Sequence, residues 1–236
     1  MKLELVVSDV AGTTVAAADD VGRVFRETFA AIEIHLPSTT VDAVRGRSKR
    51  QAIRDLVGSE VESKVGSADP DAIYQEFLRR LILASGDWQP VPGARETLEW
   101  LAQRGIKVAL TTGLDRVILE RLLERLGWSA IVDAALGADD VERGRPAPDL
   151  ILRAMELCGV ADPRSVLVVG DTAADLEAAR NAGAGWSIGV LSGAHTRQRL
   201  VDCPHSAILT SVADLPEWIR RGNEPISTTT GSRSTP

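Results

Sequence analysis

Four short motifs in this 236-residue chain combine residue types suited to chemistry on an anionic phosphorus group. The first begins with Asp9, which directly follows an apolar run typical of a buried strand, and continues as Val-Ala-Gly-Thr-Thr. A carboxylate there could serve as a nucleophile, with backbone N–H groups of the turn available to an anion. Taken alone, the same residues also fit an Asx turn that ends a strand.

Two other motifs supply groups that could hold phosphoryl oxygens. Thr111 ends another predicted buried strand, and its hydroxyl could hydrogen-bond an oxygen, supported by the N–H of Thr112. Arg145 stands between a glycine and a proline, which restrains its orientation and suits pairing with both a phosphoryl group and Asp9. Taken alone, the two threonines fit an ordinary strand-to-helix turn as well as they fit phosphoryl binding. Arg145 taken alone fits a surface arginine better than a phosphoryl-binding one.

The fourth motif, from Gly170 to Asp175, follows the most strand-like run in the chain. Asp171 at the strand end and Asp175 four residues later could face one hard cation, and Mg²⁺ prefers such oxygen ligands. The alternative is that Thr172 begins a helix and Asp175 is its partner in a capping box. Capping would account for Asp175 but leaves Asp171 unexplained.

The order of the four motifs along the chain is more specific than any one of them. Together they resemble the haloacid dehalogenase superfamily, and more narrowly its phosphonoacetaldehyde hydrolase (phosphonatase) branch, from about Leu3 to Leu215. The resemblance implies that Asp9 forms a phosphoaspartate while Thr111 and Arg145 hold the transferring group. It implies a Mg²⁺ site formed by Asp9, the carbonyl of Ala11, Asp171 and, in an outer shell or through water, Asp175. We also expect substrate contacts from a second set of residues: Gly12, Thr13, Arg47, Thr112 and Gly113.

The residue type two positions after Asp9 differs between the phosphatases and the phosphonatases of this superfamily. Ordinary phosphatases of this superfamily carry a second aspartate there, whereas this chain has Ala11. Loss of that general acid and base typically lowers the rate on a phosphate ester by about 10²–10⁴-fold. The phosphonatase branch also has alanine there, and the resemblance implies that it activates its substrate through an imine on a cap lysine. Lys49, three residues after Gly46, matches the position of that lysine.

The sequence around Lys49 favours an amine that loses its proton readily. Ser48 and Gln51 form a candidate capping box, which would place Lys49 at the first position of a helix. The helix dipole opposes a positive charge there. Repulsion is also expected from three neighbouring arginines: Arg45, Arg47 and Arg50. Since the neutral amine is the form that condenses with an aldehyde, Lys49 is a candidate catalytic residue.

More than one function remains compatible with these residues. The leading interpretation is a Mg²⁺-dependent hydrolase that releases phosphate from a small phosphonate such as phosphonoacetaldehyde through a Lys49 imine. The alternative is a phosphatase acting on a sugar phosphate or similar ester, with Lys49 only binding the substrate. A phosphomutase fits less well because Ala11 leaves no obvious acid or base, and a non-catalytic phosphate-binding protein would not need Asp9. Three positions depart from true phosphonatases, which carry an aromatic residue, a histidine and a tyrosine where this chain has Val10, Ala52 and Leu114.

The elements that must position these residues alternate along most of the chain. One strand over residues 3–8 precedes a helical block, after which strands and helices alternate as in a parallel sheet covered on both faces. We therefore predict an α/β fold with a Rossmann-like parallel-sheet core, residues 1–14 and 91–222, and a helical cap, residues 15–90, inserted after the first strand. Such sheets bind ligands at the carboxyl ends of their strands. The tail, residues 223–236, is rich in Ser and Thr and is predicted to be disordered.

Composition excludes several classes of protein. The net charge of −6 and the pI of about 5.2 are not those of a nucleic-acid-binding protein. No apolar run approaches the ~18 residues of a membrane span, and the N-terminus does not read as a signal peptide. Cys158 and Cys203 lack paired spacing and predict neither a disulfide framework nor a zinc site. We expect a cytoplasmic monomer or homodimer that acts on a small phosphorylated or phosphonate metabolite.

Overall fold

A six-stranded parallel sheet forms the centre of the computed structural model, which describes residues 2–57 and 69–222. Its order is β3-β2-β1-β4-β5-β6, so the first strand lies at the centre and the chain continues outward on both sides. The strands are β1 (Leu5–Asp9), β2 (Lys107–Thr111), β3 (Ala134–Leu136), β4 (Val166–Gly170), β5 (Trp186–Val190) and β6 (Ala207–Leu209). All neighbouring strands pair in parallel, which places their carboxyl ends at one edge.

Helices cover both faces of this sheet. Alternate residues of β1 face opposite sides, so Leu5 and Val7 join one hydrophobic cluster while Val6 joins the other. The flanking helices are α5 (Ala94–Ala102), α6 (Arg116–Leu126), α7 (Asp149–Cys158), α8 (Ala173–Ala182), α9 (Arg197–Val201) and α10 (Leu215–Arg220). Helices α7 and α8 pack on the side of Leu5, whereas α5, α6 and α10 pack on the side of Val6. Burial on both faces explains why β1 and β4 are continuous apolar runs.

Within the described residues, four α-helices lie between β1 and α5 and are called the inserted helices: α1 (Ala18–Ala30), α2 (Ser38–Ala43), α3 (Lys49–Leu56) and α4 (Pro70–Ala84). Aromatic rings hold α1 against α4, with the Phe25 and Phe77 centroids 5.7 Å apart in an edge-to-face arrangement. The two connections to the sheet run side by side. The N–H of Val91 donates to the carbonyl of Thr14 at 2.9 Å, so both connections leave the sheet at the carboxyl end of β1.

The predicted fold class is confirmed, with differences confined to short elements. The sequence did not predict α2 or α9, which have six and five residues and are too short to show a helical repeat. The division into a core, residues 1–14 and 91–222, and a cap, residues 15–90, stays a prediction. The tail predicted to be disordered, residues 223–236, lies outside the described residues. Within the described part of the chain, no helix has the length and apolar character that crossing a membrane requires.

Candidate active site

The predicted catalytic carboxylate lies at the carboxyl edge of the sheet, among the ends of three central strands. Asp9 is the last residue of β1 and pairs in register with Thr111, the last residue of β2. Asp171 directly follows Gly170, the end of β4. Asp9 is 5% exposed and Asp171 is 1% exposed. The strand register therefore brings together two buried carboxylates and a hydroxyl, as the motif order predicts.

Arg145 ties this edge together through its guanidinium. It donates to the Asp9 carboxylate, donates from Nη2 to the Thr111 hydroxyl at 2.5 Å, and pairs from Nη1 with Asp175 at 2.6 Å. Arg145 is only 5% exposed, and a buried charge is strongly destabilising unless it is paired and hydrogen-bonded. The arginine is thus held by two carboxylates in a fixed orientation beside the candidate nucleophile.

Asp175 has a second set of contacts at the start of α8. Its carboxylate accepts the backbone N–H of Thr172 at 3.0 Å and the Thr172 hydroxyl at 2.5 Å. The capping interaction that the sequence offered as an alternative is therefore present, together with the ion pair to Arg145. Its predicted part in metal binding stays a prediction.

The surroundings of Asp171 form a cradle for its carboxylate. Oδ1 accepts the Thr13 hydroxyl at 3.3 Å and Oδ2 accepts the N–H of Ala194 at 2.6 Å. A Cβ at Gly12 would lie 2.5 Å from Asp171 Oδ2, and one at Gly193 would lie 2.0 Å from it, so neither position accepts a side chain without movement. Close packing on both sides fixes the direction of this carboxylate.

The charges of this edge fit a hard cation. Burial, followed by the charge of Asp9, raises the pKa of Asp171 well above its ordinary value. Burial likewise raises the pKa of Asp9 to about 6, against the opposing effect of Arg145. Carboxylates whose ionisation is disfavoured by burial and by a neighbouring carboxylate are a donor set that a divalent cation would stabilise. Within the described residues no cluster of three His, Cys, Asp or Glu side chains forms a metal site by itself, so a cation there would also need main-chain or water oxygens. Mg²⁺ accepts such a mixed set, and Ala11 lines the same cavity.

The backbone donors that the sequence offers to an anion have carbonyl partners in this structure. The N–H groups of Gly12, Thr13 and Thr14 donate to carbonyls within their own turn, at 2.7, 3.3 and 3.0 Å, because the turn folds back on itself. The N–H of Thr112 donates to the Leu136 carbonyl at 3.0 Å, since the pairing of β2 with β3 continues one residue further. All four donors are therefore bonded within the protein, Thr112 lines the cavity, and the contacts with substrate expected here stay predictions.

Lys49 reaches the same cavity from the inserted helices. It is the first residue of α3, preceded by Ser48, whose side chain accepts the N–H of Gln51 at 3.4 Å, as the sequence predicts. Lys49 is 6% exposed, and its Nζ donates to the carbonyls of Val44 at 3.0 Å and Arg47 at 2.9 Å. Burial lowers the pKa of Lys49 to about 8, with further lowering by neighbouring arginines and an opposing effect of Asp9.

The loop before α3 touches the sheet edge because two glycines permit close contact. Gly46 has φ +74°, and a Cβ on it would lie 2.3 Å from the Thr172 hydroxyl oxygen. A Cβ on Gly113 would lie 2.6 Å from the carbonyl oxygen of Arg47. Gly113, predicted to contact substrate, thus provides space for the carbonyl that accepts from Lys49.

The arginines near Lys49 differ from one another in position. The Arg47 guanidinium pairs with Asp55 at 3.2 Å and its side chain is 38% exposed, so its predicted contact with substrate stays a prediction. Arg50 was expected to repel Lys49, but its guanidinium lies 4.4 Å from the centroid of the Tyr74 ring. Arg45 instead lines the cavity together with Lys49 and Asp9.

The cavity itself is small, about 40 Å³. This is room for roughly three water-sized spheres of ~10–15 Å³ each. Sequence analysis did not identify the apolar part of its lining, which consists of Val21, Phe25, Val41, Val44 and Leu114. These residues come from three separate segments, and no local sequence signal links them.

Comparison with known proteins identifies the family. The family model for haloacid dehalogenase-like hydrolases matches residues 3–183. Phosphonoacetaldehyde hydrolase of Bordetella pertussis is 33% identical over 207 residues, covering 81% of this chain and 73% of that protein. The chain belongs to the haloacid dehalogenase-like hydrolase family. It is therefore a hydrolase, and the resemblance predicted from its motifs is confirmed.

This hydrolase shares its fold with solved structures of more distant relatives. A phosphonoacetaldehyde hydrolase-like protein from Oleispira antarctica superposes with a TM-score of 0.82 at 24% identity, over 95% of this chain and 96% of that chain. A β-phosphoglucomutase from Clostridium difficile superposes with a TM-score of 0.78 at 18% identity, over 93% and 96% of the two chains. At these identities the likeness concerns the fold, inserted helices included, and leaves the substrate to be argued from the site.

Proposed function

We propose that this hydrolase cleaves the C–P bond of a small phosphonate with a carbonyl group two bonds from phosphorus, as in phosphonoacetaldehyde. The observation that carries the proposal is the buried Lys49 amine, which shares a small cavity with Asp9 and has a pKa lowered to about 8. Similarity to a phosphonoacetaldehyde hydrolase supports the same substrate class. In this proposal residues 15–90 act as a cap that supplies Lys49, and the core supplies Asp9.

The proposed reaction starts at Lys49. Its neutral amine has two N–H groups, which the carbonyls of Val44 and Arg47 accept, leaving the lone pair for the substrate carbonyl. Condensation forms an imine and releases one water. The imine then withdraws the electron pair of the C–P bond when phosphorus is attacked, so the carbon leaving group departs as an enamine. Ala11, which has no acidic group, is sufficient because this leaving group does not need a proton from that position.

Asp9 is the proposed nucleophile on phosphorus. Attack by Oδ forms a phosphoaspartate, while Arg145 and Thr111 hold the phosphoryl oxygens in line with the carboxylate. Water then hydrolyses the phosphoaspartate to phosphate. Protonation of the enamine carbon and hydrolysis of the imine release the carbonyl product and restore Lys49. One water is consumed overall for each C–P bond broken.

The proposed cofactor is Mg²⁺. The carboxylates of Asp9 and Asp171 and the carbonyl of Ala11 would hold it, with Asp175 positioning Arg145 from the other side. Bound there, the cation would offset the repulsion between an anionic nucleophile and an anionic phosphonate. The small cavity also favours a substrate of few atoms over a sugar phosphate.

Borohydride trapping tests the imine. The enzyme is incubated with Mg²⁺ and phosphonoacetaldehyde, with and without borohydride, and phosphate release and protein mass are measured. We expect borohydride to abolish phosphate release and to leave a covalent adduct on Lys49. Phosphate release that is indifferent to borohydride, with no adduct, would contradict the proposal.

A second candidate function is hydrolysis of a small phosphate ester. The same two carbonyls that accept from Lys49 would also hold its ammonium form, which could bind a distal anion of such a substrate. In that case Lys49 acts as a binding residue, and phosphate esters are turned over whether or not borohydride is present. A non-catalytic phosphate-binding protein fits less well, since membership of a hydrolase family and a buried Asp9 beside Arg145 both favour catalysis. The cytoplasmic location and the oligomeric state stay predictions.

A further inference from the structure

A second cation lies beside Lys49 in the cavity and has no part in the proposed reaction. Arg45 belongs to the loop between α2 and α3, and it lines the same cavity as Asp9 and Lys49. Its Nε pairs with Asp42 Oδ1 at 2.8 Å, and its side chain is only 16% exposed. The charge of Arg45 disfavours the protonated form of Lys49, so the two groups repel when both are charged.

The inserted helices make specific room for this guanidinium. Gly22 lies inside α1, where glycine is less favourable than alanine by about 0.5–1 kcal/mol. A Cβ at that position would lie 3.2 Å from Arg45 Nη2, 3.5 Å from Cζ and 3.6 Å from Nη1. The guanidinium therefore packs closely against the helix at Gly22, where an added Cβ would press on Nη2. Gly22 lines the cavity as well, so this packing directs Arg45 to the ligand space.

An anionic group on the substrate would explain a cation in this position. Arginine recognises carboxylates through two parallel N–H donors, and the orientation fixed by Asp42 and Gly22 suits such a pair. The carbon that Lys49 attacks must lie next to its Nζ. Arg45 and Lys49 line the same cavity, so a carboxylate bonded to that carbon would share the cavity with the Arg45 guanidinium.

We propose that Arg45 binds a carboxylate carried on the carbonyl carbon of the substrate, so that the preferred substrate is a 2-oxo acid with phosphonate on the adjacent carbon. This inference rests on the proposed C–P hydrolase function. The reaction balances as before: the 2-oxo acid phosphonate and one water give phosphate and the same 2-oxo acid with a hydrogen in place of the phosphonate group. Arg45 takes no proton and forms no bond, and it contributes by binding and orienting the substrate.

The test compares 3-phosphonopyruvate with phosphonoacetaldehyde as substrates of the full chain with Mg²⁺. We expect wild-type kcat/KM to favour 3-phosphonopyruvate by at least ~10-fold, and Arg45→Met to lower that ratio by about 100-fold, the scale of hydrogen bonds to a charged group. The ratio is the readout because any change in the protonation of Lys49 or in folding affects both substrates. Arg45→Lys keeps the charge without the paired donors, and we expect an intermediate ratio.

A matched control and a second substrate pair separate the outcomes. Arg54→Met removes an exposed arginine of α3 that pairs with Asp71 at 3.1 Å, and the ratio should stay within about twofold of wild type. A wild-type preference for phosphonoacetaldehyde that Arg45→Met leaves unchanged would overturn the inference, while borohydride trapping would still support the proposed function. If neither phosphonate reacts or is trapped, the proposed function fails. The phosphonate substrate of the inference fails with it, and phosphoglycolate compared with ethyl phosphate then tests the carboxylate site alone: an Arg45-dependent preference for phosphoglycolate supports that site, and no such preference overturns it as well.

Discussion

The two sides of the cavity are built on different electrostatic principles. On the side of the sheet, opposite charges meet: Arg145 pairs with both Asp9 and Asp175. On the side of the inserted helices, Lys49 is held by two neutral carbonyls, and burial moves its pKa towards neutrality. Paired charges fix the positions of the groups that carry them, whereas a buried amine held only by neutral carbonyls can change its charge. We infer that the sheet edge carries out the step at phosphorus. The inserted helices select the organic group that the substrate carries on phosphorus.

Asp9→Asn is the change expected to have the largest effect, because it removes the proposed nucleophile from the sheet side. We expect kcat to fall by at least ~10⁴-fold for phosphonates and phosphate esters alike, since an amide oxygen cannot form the phosphoaspartate. Arg145 retains Asp175 as a partner, so the fold should persist, and circular dichroism checks this. A loss of less than tenfold would mean that the reaction does not pass through a phosphoaspartate on Asp9.

Lys49→Met tests the other side of the comparison. We expect the kcat/KM for phosphonoacetaldehyde to fall by about 10³-fold or more because no imine can form, and the borohydride adduct to disappear. Any hydrolysis of small phosphate esters should change by less than about tenfold, since the sheet side is intact. Lys107→Met is the control, because that lysine is half exposed and pairs with Asp133 away from the cavity. Equal losses on both substrate classes would show that Lys49 has no separate role in C–P cleavage.

Much of the sheet side could be predicted from sequence because it depends on strand ends. A buried apolar run ends where a polar residue must leave the core, and this rule located Asp9, Thr111 and Asp171 at one edge. The position of Arg45 could not be predicted in this way. It depends on the packing of a loop against Gly22 of a different helix, and no periodicity records that contact.

The backbone of the first turn shows a similar limit. Its residue types predicted free N–H groups for an anion, yet the N–H groups of Gly12 to Thr14 bond within the turn. The sequence indicates that a turn forms but not which carbonyl accepts each N–H. That choice depends on the path of the chain after the turn, where the Val15 carbonyl accepts the N–H of Gly12. A buried apolar run, by contrast, indicates a strand directly, and the strand predicted over residues 3–8 overlaps β1.

The dependence of activity on pH distinguishes the two functions through Lys49. Its folded-state pKa is lowered to about 8, so the neutral amine is a minor form at pH 7 and the main form above pH 8. If the amine condenses with substrate, kcat/KM should rise about tenfold per pH unit below 8 and level off above it. If the ammonium binds an anion, kcat/KM should instead fall as pH rises through 8. Because Arg45 lowers the pKa of Lys49, Arg45→Met should move either profile to higher pH.

The contact between the two sides can be altered without removing a reactive group. In Gly113→Ala the added Cβ would lie 2.6 Å from the carbonyl oxygen of Arg47, which also accepts from Lys49. Moving this carbonyl should lower the free energy of unfolding by about 1–3 kcal/mol, as overpacking does, and weaken the hold on the amine. We expect phosphonate turnover to fall more than hydrolysis of any phosphate ester, because the sheet side does not move.

Gly86→Ala provides the control for this last change. A Cβ at Gly86 meets nothing within 4 Å, so stability to urea and turnover of both substrate classes should stay close to wild type. If Gly113→Ala behaves like Gly86→Ala, the loop before α3 adapts without moving Lys49. The close contact between Gly113 and the Arg47 carbonyl is then not needed for the reaction. If Gly113→Ala lowers turnover of both classes equally, the contact supports the fold as a whole and not the amine in particular. Only a selective loss on phosphonates would show that the inserted helices act through the position of Lys49.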